Sequence, residues 1–377
     1  MSHLFVTNDF PPKLGGIQTM LWELWRRLDP TSFAVLTTDH PEAAAWDRQQ
    51  AFRIERGTGS ILLPVPSLVH RIDDLADEVG ADLVVLDPAL PLGLVGPRLR
   101  HRYAVVLHGA EVTVPGRLPG ARRVLRQVLR GAALVVAAGG YPLAEAERAA
   151  RQLLPSVLVP PGVDTERFRP LEPGERAAAR ARFGLPATGP LVVSLSRLVP
   201  RKGMDVLVEA AALLAPRRPD LVVAIGGTGR DAARVSGIIE RTGAPVRLLG
   251  RVDHDDLPAL YGCADVYAML CRNRWAGLEQ EGFGIVFLEA AAAGVPQVAG
   301  DSGGAAEAVV DGETGLVVGD PSAPAAAAHA LARLVDDPDL RTRMGERART
   351  RAVAHFDYDA LALRLGDALD AAGGSGA

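Results

Sequence analysis

Short apolar runs separated by helical stretches constrain this chain more than any other feature. Leu4–Thr7 opens the series, and Phe33–Thr37, Phe52–Ile54, Leu83–Leu86, Ala104–Leu107, Leu134–Ala137 and Val157–Val159 follow. Runs of this length bounded by turn residues read as strands, and stretches such as Val69–Val79 read as the helices between them. Strands that alternate with helices indicate a mostly parallel, doubly wound α/β sheet, covered on both faces. The pattern starts again at Leu191–Leu195 and continues through Val222–Ile225, Val246–Leu249, Asp265–Leu270, Val295–Ala299 and Leu316–Val318. At 377 residues the chain is too long for one ordinary core. Two domains are expected: 1–165 and 189–357. Between them, 166–188 reads as a connection rich in charge, Pro and Ala, with a short helix at Gly174–Phe183. Two helices are expected near Ala323–Leu334 and Pro338–His355, and a disordered tail at Gly373–Ala377.

Composition narrows the function classes. A net charge of −4 carries no global nucleic-acid signature. Cys263 and Cys271 cannot build a disulfide framework, and no His/Cys metal spacing accompanies them. They read as reduced thiols of a cytoplasmic protein. The N-terminus MSHLFVTNDF lacks the basic and long apolar regions of a signal peptide. No window has the character of a membrane span, so any membrane contact is expected to be peripheral.

The chemistry concentrates in Cys271–Gly294, CRNRWAGLEQEGFGIVFLEAAAAG. It opens on Arg272, Asn273 and Arg274, carries Glu281-Gly282, and becomes an apolar helix from Phe283 to Ala293 that Gly294 and Pro296 stop. The first turn, Gly284 to Phe287, offers free backbone N–H groups and the positive end of the helix dipole to an anion. Glu281 and Glu289 stand eight residues apart, about 12 Å if helical throughout. A retaining glycosidase pair needs roughly 5–5.5 Å and an inverting pair roughly 6.5–9.5 Å. Two carboxylates that bind the hydroxyls of one elongated ligand on either side of its phosphates fit better. A core helix with one exposed and one capping Glu also fits.

Other loops open from strand ends. Asn8-Asp9-Phe10-Pro11-Pro12 leads to Gly15-Gly16-Ile17-Gln18 and a helix with Leu21, Leu24, Trp25 and Leu28. Its glycines permit close approach of backbone to a ligand, or simply make a turn. It is not the dinucleotide fingerprint, and no acidic residue stands where a ribose would need it. His108-Gly109-Ala110-Glu111 follows another strand, and a lone His there is as readily structural. Ser196-Arg197-Leu198-Val199-Pro200-Arg201-Lys202-Gly203 places separated cations after a strand. They can neutralise a diphosphate and its developing charge, or be solvated. Gly226-Gly227-Thr228-Gly229 and Gly250-Arg251-Val252 are further close-approach loops.

Glu281-x7-Glu289, within EGFGIVFLE, resembles the signature of the large retaining glycosyltransferase family of GT-B fold that uses nucleotide sugars. More narrowly, CRNR…EGFGIVFLEAAAAGVPQVAGDSGGAAEAV is similar to the actinobacterial mannosyltransferases that act on phosphatidylinositol mannosides. HGxE at His108, PPGVD at Pro160–Asp164 and SRLVPRKG at Ser196–Gly203 extend the resemblance over almost the whole chain. It implies two Rossmann-like domains facing a cleft, with a C-terminal helix at 358–372 returning to the first. It further implies that Arg197 and Lys202, with Arg201 as alternate, hold the donor's diphosphate together with the Gly284–Ile285 amides. Glu289 would accept from the ribose, Gly250 and Val252 would cradle the base, and Glu281, with Phe283 beside it, and His108 would orient the hexose. Gly16 lies under the transferred phosphate and sugar, and Asp9 reaches the acceptor. The implied donor is GDP-mannose and the implied acceptor a lipid-linked or glycan molecule such as a phosphatidylinositol mannoside. Transfer would retain configuration, by a front-face course in which the leaving phosphate takes the acceptor's proton. There is no DxD metal motif, and no metal ligands are assigned.

One stretch bears on location. Between Gly96 and Gly131 there are eight arginines and one Glu. Leu118–Arg130 carries an apolar stripe of Leu118, Ala121, Leu125, Val128 and Leu129, with Arg122, Arg126 and Arg130 four apart. Such a helix can lie on an anionic membrane at the inner face of the cell, or be a solvated face over the protein's own core. Nucleic acid fits poorly, as no stacking aromatics are interleaved. Competing readings are a UDP-sugar transferase of the same fold acting on a polyol or glycan, a nucleotide-sugar epimerase, and a non-catalytic sugar- or membrane-binding relative.

Overall fold

A computed structural model describes residues 2–13, 15–277 and 279–374 of the chain. It separates into two units, Met1–Gly162 with Tyr358–Ala377, and Val163–Asp357.

The first unit has seven strands: β1 (His3–Thr7), β2 (Phe33–Thr37), β3 (Arg53–Arg56), β4 (Leu83–Asp87), β5 (Tyr103–Leu107), β6 (Leu134–Ala137) and β7 (Ser156–Leu158); all but β3, a largely charged edge strand just past the expected run at Phe52–Ile54, are apolar runs. They pair in parallel in the order β3-β2-β1-β4-β5-β6-β7. Side chains alternate between two cores. Leu4, Val6, Val84, Leu86, Val105 and Leu107 face one. Phe5, Leu83, Val85, Ala104 and Val106 face the other. The order reverses between β1 and β4, the switch point beyond whose carboxyl ends ligands gather in such sheets. Register places Thr7 opposite Asp87 there. The helix Tyr358–Gly374 buries Tyr358, Leu361, Leu365 and Leu369 in the same core as Leu21, Leu24 and Trp25. Gly373 and Gly374, expected in a disordered tail, belong to this helix; the rest of that expected tail, 375–377, lies outside the described residues.

The second unit has six parallel strands: β8 (Leu191–Leu195), β9 (Val222–Gly226), β10 (Val246–Gly250), β11 (Val266–Met269), β12 (Gln297–Gly300) and β13 (Gly315–Val318). Their order is β10-β9-β8-β11-β12-β13, so its switch point lies between β8 and β11. The stretch 166–188, expected as a connection, packs into this unit instead. Its helix Pro173–Arg182 is tied by Arg176 and Arg180 to Asp265, at 2.7 and 2.8 Å. Asp265 also accepts from the Leu191 amide at 2.7 Å, so it anchors the start of the interior strand β8 rather than opening β11 as expected. The chain passes between units at Gly162–Val163 and at Asp357–Tyr358.

Candidate active site

At the switch point of the first unit a chain of hydrogen bonds links three strand ends. Asp87, fully buried, accepts from Thr7 Oγ1 at 2.6 Å through Oδ2. Its Oδ1 lies 2.6 Å from His108 Nε2. Thr7 Oγ1 in turn accepts from the Asp9 amide at 2.8 Å, and Gln18, near the start of the helix Gly16–Trp25, donates to Asp9 Oδ1 at 2.6 Å. Glu111 Oε1 accepts from the amides of His108 and Gly109 at 2.6 and 3.0 Å, so the HGxE turn holds itself. Burial alone would lower the His108 pKa, but Asp87, by charge and hydrogen bond, outweighs it. Glu111 and Asp9 add to this, and the group rises to about 9. His108 is thus an imidazolium at neutral pH. Burial raises the Asp9 carboxyl, and the nearby Asp87 charge raises it further. The structure therefore links Asp9 to His108 through Thr7 and Asp87, with Gly16 opening the helix whose Gln18 reaches Asp9.

In the second unit the loop after β8 forms a short turn, Pro200–Lys202, before the helix Met204–Leu214. Gly203 joins them at φ 69°, and a Cβ there would fall 1.9 Å from the Leu270 carbonyl oxygen, so only glycine fits. Lys202 Nζ is 2.7 Å from Glu281 Oε2, and Arg201 Nε lies 3.8 Å from the same oxygen. Both partners of the closer pair are buried. Arg272 supports the turn twice. Its amide donates to the Arg201 carbonyl at 2.9 Å, and its guanidinium reaches Asp205 at 2.8 Å. The Glu281 amide donates to Ser302 Oγ at 3.2 Å, and Ser302 donates to Asn273 at 2.8 Å. The helix that follows spans Ile285–Ala292 rather than starting at Phe283, because Gly284 caps it with φ 87°, a left-handed backbone. Glu281 therefore stands outside it. Phe283 is buried edge-on to Phe356. Glu289, inside the helix and partly exposed, accepts from Tyr261 Oη at 2.6 Å, and burial raises its pKa. Arg197 is exposed and makes no ion pair among the described residues. Gly250 ends β10 at φ 67°, with Val252 partly buried just beyond.

The arginine-rich helix begins at Pro119, not Leu118, and runs to Gly131. Leu125, Val128 and Leu129 are buried, as the stripe requires. Arg126 and Arg130, however, donate to the carbonyls of Ala149 and Ala150 at 3.1 and 2.9 Å. They cap the C-terminus of the helix Gly140–Ala150, where cations are favoured, rather than simply facing solvent. Arg122 is partly buried, whereas Arg123, Val124 and Leu118 are exposed.

Thr7, Asp87, Tyr261, Asp205 and the Asn273–Ser302 link were not singled out from the sequence as supports of the site. Only Asp87 left a trace there, as a charge that ends an apolar run. Among the described residues no helix is long and apolar enough to cross a membrane, and no cluster of three or more His, Cys, Asp or Glu is arranged to hold a metal.

Residues 175–351 match the model for glycosyl transferases group 1. The whole chain is 41% identical to a GDP-mannose-dependent alpha-(1-6)-phosphatidylinositol monomannoside mannosyltransferase of Mycobacterium tuberculosis, over 97% of each protein. This chain belongs to the group 1 glycosyltransferases. The glycosyltransferase is also 36% identical, over 96% of each chain, to a GDP-mannose-dependent monoacylated alpha-(1-6)-phosphatidylinositol monomannoside mannosyltransferase of Corynebacterium glutamicum. Its fold is that of the Anabaena HepE protein, solved in complex with UDP, with a TM-score of 0.83 at 22% identity, covering 98% of this chain and 100% of that one. The expectation of a GT-B glycosyltransferase, drawn from Glu281-x7-Glu289 and SRLVPRKG, is met.

Proposed function

We propose that this glycosyltransferase moves mannose from GDP-mannose to a phosphatidylinositol monomannoside, with retention of configuration. The observation that carries the reading is identity of 36–41% over nearly the full length to mannosyltransferases so described. The geometry supports a division of labour. On the second unit, Lys202 and the exposed Arg197 hold the diphosphate with the Gly284–Ile285 amides, Glu289 takes the ribose hydroxyls, and Gly250 and Val252 flank the base. Glu281, held 2.7 Å from Lys202, is assigned a sugar hydroxyl beside the leaving phosphate, a role that its pairing with that cation supports. A cation there stabilises the charge that grows on the departing diphosphate. On the first unit, the charged His108 donates to the sugar, while Asp9 and Gly16 serve the acceptor. The reaction we infer is front-face, with the leaving phosphate taking the acceptor's proton; a trapped mannosyl adduct on Glu281 would rule it out.

The test is transfer from labelled GDP-mannose to phosphatidylinositol monomannoside in mixed micelles. The expected product carries one further α-linked mannose. Turnover of UDP-glucose in place of GDP-mannose would overturn the donor. We also propose that the enzyme docks on an anionic membrane surface through Arg122, Arg126 and Arg130, the last two of which also cap the helix Gly140–Ala150, together with exposed Arg123, Leu118 and Val124. Replacing Arg122, Arg126 and Arg130 with serine should weaken sedimentation with anionic vesicles, and unchanged binding would leave the helix a solvated face.

A further inference from the structure

Asp87 has no part in the roles assigned above, yet it joins them. It closes β4 immediately before Pro88, is 0% exposed, and spends both oxygens on the switch point of the first sheet. A buried carboxylate without a countercharge is strongly disfavoured, so its partner is set by its position. That partner is His108, whose Nε2 it engages at 2.6 Å. The main chain carrying the ring is pinned as well, because Glu111 takes the His108 and Gly109 amides. His108 Nδ1 makes no hydrogen bond among the described residues. The other oxygen of Asp87 fixes Thr7, and Thr7 fixes the amide of Asp9.

We propose that Asp87 is the positioning residue of the transfer. Through Nε2 it sets the plane of the His108 ring, so that Nδ1–H is offered to a hydroxyl of the transferred sugar. Through Thr7 it sets the backbone of Asp9 for the acceptor. The inference rests on the mannosyltransferase reading for the identity of the sugar, but not for the hydrogen bonding itself. An asparagine at 87 has nearly the same shape: its one carbonyl oxygen can still accept from His108, while its NH2 must face Thr7 Oγ1, which can turn to accept; what it lacks is the charge. A purely structural carboxylate would therefore be replaced with little change in the pH behaviour of catalysis. The charged groups around the ring are Asp87 on β4, Glu111 on the helix Ala110–Arg117, and Asp9 on the loop after β1, with Lys13 beside Asp9. Burial acts against the protonated ring, and these carboxylates act for it.

The experiment is the pH profile of kcat for mannose transfer by the wild-type enzyme and by Asp87→Asn. GDP binding is measured alongside by titration calorimetry to verify that the donor unit is intact. Loss of the charge should move the alkaline limb down by about 1–3 pH units and lower kcat at pH 8 roughly 10²-fold, with partial recovery in acid. A uniform loss with an unshifted limb, or no loss, would overturn the proposal. Thr7→Val removes the hydroxyl's bonds to Asp87 and to the Asp9 amide but leaves the Asp87–His108 pair, and should raise KM for the acceptor while leaving the alkaline limb in place; a shifted limb in that variant would also overturn it. Should Asp87→Asn fail to fold, the imidazole 15N spectrum of the wild-type protein decides. Both His108 nitrogens should carry protons at pH 8, and a neutral ring overturns the proposal. If the wild-type enzyme transfers no mannose from GDP-mannose, the functional reading falls while the spectrum still answers for Asp87.

Discussion

In the first unit the decisive carboxylate, Asp87, sits on a strand, whereas in the second unit Lys202 and Glu281 both come from loops. Strand register against Thr7 places Asp87, and the sheet itself shields it. The Lys202–Glu281 pair depends instead on a left-handed glycine on the Lys202 side and on a network of side chains, Arg272, Asp205, Ser302 and Asn273. A charge set by register has one geometry. A pair set by loops can exchange partners when a ligand arrives, at the expense of needing more residues to hold it. Under the proposed function, the difference suits a cation that stays charged throughout on one unit and a pair that opens for a diphosphate on the other.

The largest effect expected is at the loop-borne pair. Lys202→Met leaves Glu281 buried without its closest cation, which should destabilise the second unit by about 3–5 kcal/mol and lower kcat roughly 10²–10³-fold. The check is denaturant unfolding together with mannose transfer. Adding Glu281→Gln should restore most of the stability and none of the activity. Restored activity would break the assignment of both residues.

A smaller effect, confined to the first unit, sharpens the contrast through two histidines shifted in opposite directions. Burial lowers His3 to about 4, with Asp370 pulling the other way, and its ring accepts from Trp25 Nε1 at 3.0 Å. His108 stands at about 9. Between pH 6.5 and 4 the unfolded chain takes a proton that folded His3 refuses, so stability falls as pH falls through that window. His108 contributes its full stabilisation below about 6.5, and loses it as pH rises through about 9. Each limb is worth about 3 kcal/mol, so the first unit should be most stable near pH 6.5. Urea midpoints followed by tryptophan fluorescence at pH 4.5, 6.5 and 9.5 test this. A flat curve above 6.5 would remove the charged His108.

Much of this was legible beforehand. The short apolar runs between helical stretches placed the strands to within a residue or two. The spacing of cations in SRLVPRKG pointed to Lys202, and Glu281 was visible in EGFGIVFLE. Asp87 was not, because a charge ending an apolar run before a proline looks like the first residue of a loop, and only register brings it to His108. Arg126 and Arg130 were read as a cationic stripe, since a side chain that caps another helix's carbonyls leaves no pattern in its own segment. The late start of the helix at Ile285 came from the left-handed backbone at Gly284, which a glycine permits without announcing.

The helix Tyr358–Gly374 also has a consequence for biosynthesis. Its Tyr358, Leu361, Leu365 and Leu369 complete the core that holds Leu21, Leu24 and Trp25, yet they leave the ribosome after the whole of Val163–Asp357. The second unit, continuous in sequence, can be finished while the first still shows water the apolar face of its opening helix. Four such side chains, each worth about 1.5–3 kcal/mol when buried, amount to a large share of a domain's stability of about 5–15 kcal/mol. The order of completion thus inverts the order of synthesis, and the nascent first unit is the part that a chaperone would need to shelter.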